Sequence, residues 1–195
     1  MVSTAPLDRP LTVHDFEQLP DDGVRYELIW GELYMSAAPS TKHQRVLRRL
    51  LVEIDAFLTG TGMGEIFVAP YDVQLDEINI VEPDLVAYRT ARSDIVTDKR
   101  MIGAPDLCVE ILSPTNRSHD VVKKRVLYAR FGIPEYWIVD PEQESITVHL
   151  LDGVHYIPQT SNDGLARSLV FPGLIVDPRG LSSPPTSPRA TFEGG

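Results

Sequence analysis

Apolar residues recur at helical spacing most clearly after Ser40. Val46, Leu47, Leu50, Leu51, Ile54, Phe57 and Leu58 share one side, and Lys42, Arg45, Arg48, Arg49, Glu53 and Asp55 fall largely elsewhere. The pattern predicts a helix over about 40–59, ended by Gly60 and Gly62. A second helix is predicted from about Ser118 to Phe131, and a short one after Thr12, an N-cap with Asp15 three residues on. Between the helices the period changes. Residues 25–36 read as two strands about Gly31, and further strands are expected near 65–69, 71–75, 81–88, 106–112 and 135–139. Asp152-Gly153 marks a hairpin of 146–151 with 154–158, and a short strand is expected near 168–170. Residues 89–104 are polar and irregular, a surface loop with one helical turn. Helices interleaved with strands predict α/β or α+β, with helices on a mixed sheet, rather than a sandwich.

A chain of 195 residues defaults to one domain with a real core. The domain is expected over 11–177, after a loose arm at 1–10 and before a Pro/Ser/Gly-rich tail at 178–195 where disorder is expected. Cys108 is the only cysteine, which excludes an intrachain disulfide and a thiolate metal cluster. The sequence shows no secretory pattern and no apolar run near the roughly 18 residues that span a bilayer, so no membrane is expected and a cytoplasmic place is. A net charge of −10 argues against non-specific coating of nucleic acid, which rests on many Lys and Arg contacts. Local clusters still stand out: Lys42, Arg45, Arg48 and Arg49, then Arg117, Lys123, Lys124, Arg125 and Arg130. They are either solvated helix faces or phosphate contacts.

Three residues are out of place for their surroundings. Asp84 and Glu110 interrupt apolar strand runs, where a carboxylate is costly unless paired or bound to a metal. Strand alternation puts Glu110 on one face with Cys108 and Leu112, and Leu107, Val109 and Ile111 on the other. Two carboxylates with open water positions suit Mg²⁺ or Mn²⁺; pairing with an arginine is the alternative. At about 100° per residue, Lys124 shares the arc of Leu127, Tyr128 and Phe131, whereas Lys123 and Arg130 share a polar one. Lys124 therefore either snorkels or serves a site. Glu27 reads as a third carboxylate or a surface strand residue. His43 reads as a surface, acid–base or phosphate-contacting histidine, and Gln74 is left open. No Walker loop, dinucleotide fingerprint, His-Glu-x-x-His motif or nucleophile elbow is present.

Pro83-Asp84, then Glu110 in an apolar strand, then a lysine on the next helix resembles the PD-(D/E)XK nuclease pattern. More specifically, the chain resembles the bacterial Uma-two family of restriction-endonuclease-like proteins. The matching stretches are Leu11 to Pro20, the run from Arg25 to Leu33, Pro39 to Gln44, Val81 to Tyr88, Pro105 to Pro114 and Gly132 to Asp140. The resemblance implies a mixed sheet flanked by helices, often in a homodimer. It further implies a metal-dependent endonuclease; DNA is expected ahead of RNA as its substrate, and the sequence does not separate the two. Asp84 and Glu110 would be the Mg²⁺ or Mn²⁺ ligands and Glu27 the preceding acid. His43, Lys42 and Arg45 would contact phosphates. The superfamily's lysine stands two residues after the second acid, a place held here by Leu112, so Lys124 would have to act from the helix. Trp30 stands where the family usually has Asp or Asn before the hairpin glycine. The alternative is a catalytically inactive nuclease-fold protein serving as a binding or assembly module.

Overall fold

The computed structural model describes residues 9–36, 38–113 and 119–184. Its elements run α1 (Val13–Phe16), β1 (Arg25–Ile29), β2 (Glu32–Ser36), α2 (Thr41–Thr61), β3 (Gly64–Val68), β4 (Val73–Asp76), β5 (Asn79–Val81) and β6 (Leu85–Arg89). A 3₁₀ turn over Thr90–Ile95 follows, then β7 (Met101–Ile102), β8 (Leu107–Ile111), α3 (His119–Arg130), β9 (Glu135–Asp140), β10 (Ser145–Asp152), β11 (His155–Gln159), β12 (Ala166–Arg167) and β13 (Ile175–Val176). The protein is a mixed α+β fold.

The strands divide between two main sheets. One has the order β2-β1-β5-β4-β7 and the other β11-β10-β9-β8-β6-β3, with β12 and β13 forming a small separate pair. In the larger sheet β8 runs parallel to β9 and antiparallel to β6. Parallel neighbours need a long crossover, and α3 is that connection. The expected continuous strand 81–88 is split in two. Glu82-Pro83-Asp84 lies outside both strands, so the chain crosses there from one sheet to the other. Pro83 has no amide to give a ladder, which explains a break at this point. The expected strand near 168–170 is replaced by β12 and β13, which flank that segment.

Helix α2 starts where Ser40 Oγ accepts the His43 N–H and stops at Gly62 in the left-handed conformation, φ 67°. Its inward side is His43, Val46, Leu47, Leu50, Ile54 and Leu58. Those apolar residues form one core cluster with Leu107, Val109 and Ile111 of β8. Cys108, on the other face, belongs to a second cluster with Leu127 and Tyr128 of α3. Each fully buried aliphatic side chain contributes on the order of 1.5–3 kcal/mol, and β8 is gripped from both sides. The one polar residue of that strand, Glu110, therefore has a defined direction: toward α3.

The β1–β2 hairpin turns at Trp30-Gly31, with both residues at positive φ, 56° and 73°. Gly31 is required there, because a Cβ would lie 2.4 Å from Pro10 Cβ. The turn is held by the Asn79 side chain, which accepts the Trp30 N–H at 2.7 Å, and by Ile78 O, which accepts that of Gly31. Of the arm, residues 1–8 lie outside the described residues; of the tail, so do 185–195. Leu181 is buried in the α2 cluster.

Candidate active site

Five elements bring their polar residues to one place. The Asp84 side chain follows the sheet-to-sheet crossing, and its Oδ2 accepts the Ile111 N–H at 2.8 Å. A carboxylate thereby takes the place of a ladder acceptor at the end of β6, next to Glu110. The same Oδ2 lies 3.1 Å from His43 Nε2, which comes from the first turn of α2. His43 is not a surface residue but 6% exposed, and its Nδ1 has no partner among the described residues.

Lys124 reaches back from α3, as its helix phase allows. Its Nζ lies 3.0 Å from Glu110 Oε1 and 2.9 Å from Glu27 Oε1. Tyr128, one turn later on the same face, donates its O–H to Glu110 Oε1 at 2.9 Å. Glu27 is 1% exposed rather than a surface strand residue, and its Oε1 also accepts the Glu82 N–H at 2.6 Å. The cleft is lined by Asp84, Glu110, Lys124 and His43, with Arg25 and Glu82 on its wall. Glu27 is absent from that lining and stands behind Lys124. It acts as the counter-charge that fixes the ammonium.

Sequence reasoning did not single out Arg25, Glu82 or Tyr128. Arg25 Nε donates to Glu82 Oε1 at the cleft wall. Burial nonetheless pushes the Glu82 carboxyl up, more than Arg25 pulls it down. Tyr128 was findable, since it lies four residues after Lys124 and so on the same helix face. Lys42 is engaged elsewhere, 2.9 Å from Glu142, and neither it nor Arg45 lines the cleft. Gln74 is also outside the cleft, 3.3 Å from Arg100.

Uncompensated negative charge is costly in this cleft. Burial, with the charges of Asp84 and Glu27, lifts the Glu110 carboxyl to about 8 against the pull of Lys124. Asp84 and Glu110 each anchor one oxygen, and Asp84 Oδ1 and Glu110 Oε2 carry no hydrogen bond among the described residues. Among those residues, no group of three or more His, Cys, Asp or Glu is arranged to hold a metal. Asp84 and Glu110 are the residues that could hold a hard divalent cation, which takes one or two carboxylates and keeps several waters.

A solved structure described as a putative nuclease belonging to DUF820, from Anabaena variabilis ATCC 29413, superposes with a TM-score of 0.75. It is 21% identical, over 89% of this chain and 98% of that one, and so shows the fold. The sequence profile of the Uma2 family, "Putative restriction endonuclease", matches residues 13–179, and the chain belongs to that family. No curated protein matches. No helix among the described residues is long and apolar enough to cross a membrane.

Proposed function

We propose that this protein is a metal-dependent endonuclease that hydrolyses phosphodiester bonds, with DNA as its substrate and Mg²⁺ or Mn²⁺ as its cofactor. The observation that carries the reading is the convergence of Asp84, Glu110 and Lys124 on one cleft from a crossing loop, a strand and a helix. Asp84 and Glu110 would hold the cation, which when bound supplies a Lewis acid for a phosphoryl oxygen and a more acidic water. Lys124 offsets charge gathering on the scissile phosphate, and Glu27 and Glu110 hold its ammonium in place. His43 and the Ile111 amide fix Asp84 so that only one of its oxygens is committed.

Purified protein with Mn²⁺ should nick supercoiled plasmid. Asp84→Ala should lower the rate more than about a hundredfold, since even residues behind the ligands cost 10–100-fold. Equal nicking by wild type and variant would refute the assignment. The second reading, a nuclease-fold binding or assembly module, is favoured by the lack of a three-donor metal group among the described residues. Calorimetry separates the two, because the module binds no Mn²⁺ above the Asp84→Ala background.

A further inference from the structure

Beside the cleft, α3 and the β1–β2 hairpin meet through cations and aromatic rings. Along α3, Lys123 and Arg130 are seven residues apart, two turns, and so lie on one side at a separation of about 10 Å. Each is docked on an aromatic ring of the β1–β2 hairpin. Lys123 Nζ sits 4.2 Å from the centroid of the Tyr34 ring and donates to its hydroxyl at 2.6 Å. The Arg130 guanidinium lies 5.5 Å from the centre of the Trp30 ring. Glu32 also lies on the strip and accepts the Tyr34 O–H. Lys123, Arg130, Tyr34 and Trp30 do not line the cleft. Ser36, two residues beyond Tyr34 on β2, and Lys124, next to Lys123 on α3, do; the hairpin tip with Trp30 lies at the other end of the strip.

Trp30 is the unexpected member. A bulky residue at φ 56° is a steric outlier where Asn, Asp or Gly would sit at least cost. Asn79 and Ile78 hold the backbone there whatever the side chain, so the strain is not what forms the turn. Trp30 is 37% exposed at the tip.

We propose that this strip is a track for single-stranded nucleic acid leading from the cleft, with Lys123 and Arg130 taking phosphates and Trp30 and Tyr34 offering stacking faces. Alternating cations and rings fit unpaired strands, whose bases are free to stack on protein. A duplex, whose bases stack on one another, would use the two cations alone. The track deepens the nuclease reading and rests on it for its purpose, since it implies substrates with an unpaired arm.

The test uses the full chain without metal and a labelled oligothymidylate of about twenty nucleotides, beside a blunt duplex of equal length. Wild type should prefer the single strand, and binding should quench its tryptophan emission. That signal must come from Trp30, because Trp137 is fully buried. Trp30→Asn should weaken single-strand binding about fivefold or more and abolish the quench, with Tm equal or higher. Arg130→Gln should weaken binding and reduce the salt slope by about one. Affinities within about twofold of wild type in both variants, or a wild type that prefers the duplex with no quench, would overturn the track. Trp30-dependent binding without cleavage of any nucleic acid would keep the track and sink the nuclease reading. Plasmid nicking with no single-strand binding would do the reverse.

Discussion

Replacing Glu110 with glutamine should stabilise the protein, and by an amount that depends on pH. The carboxyl titrates near 8 in the folded chain against an ordinary 4.5. The folded state therefore holds its proton through a range in which the unfolded state has lost it. Below about pH 4.5 both states are protonated and the full contribution to stability is present. As pH rises through 8 that contribution is lost, up to a ceiling of about 5 kcal/mol for a shift of this size. The amide introduced by Glu110→Gln carries no charge to desolvate and still accepts from Lys124 and Tyr128, while Glu27 continues to balance Lys124. With local rearrangement, about 2–3 kcal/mol should be realised at pH 9, or roughly 5–10 °C in Tm, and almost nothing at pH 4.5. Thermal unfolding of metal-free protein across pH 4.5–9 reads this directly. Parallel curves for the two proteins, or a variant less stable at pH 9, would refute the charge balance drawn for the cleft.

The other predictions follow from the same network and its surroundings. Mn²⁺ should raise the Tm of wild type at pH 8 and leave Asp84→Ala nearly unchanged; equal shifts would place the ion elsewhere. Lys124→Met strands Glu27 and Glu110 as buried acids and should cost about 3 kcal/mol at pH 8 by urea unfolding, with a smaller loss at pH 5. Asp106→Ala should cost about 2–3 kcal/mol, because Asp106 is fully buried and accepts from the Arg89 amide and from Arg89 and Arg92 side chains. Its Mn²⁺ affinity should stay at the wild-type value, since it does not line the cleft. Gly64→Ala would set a Cβ 2.2 Å from Tyr88 O and should destabilise by about 1–3 kcal/mol, checked by the urea midpoint.

Local periodicity made much of this legible. The apolar side of α2, the two faces of β8 and the inward phase of Lys124 all follow from residue spacing, and the structure has each arranged that way. Non-local pairing carried the rest. Glu27 alternates with Tyr26 and Leu28, so parity permits either face; it is buried because β1 lies between β2 and β5 with α3 above. Arg25 and Glu82 meet across 57 residues. No window of sequence contains that contact. The division into two sheets was hidden for the same reason, although Pro83 marked where it occurs.

That crossing at Glu82-Pro83-Asp84 also sets the order in which the site can come into being. During synthesis Glu27, His43 and Asp84 emerge first, and the nascent chain then has acids with neither Glu110 nor Lys124 to meet them. The cleft closes only when β8 and α3 have been made and docked across both sheets. Asp84, Glu110 and Lys124 therefore cannot share a cleft in any nascent or half-folded chain that lacks β8 and α3.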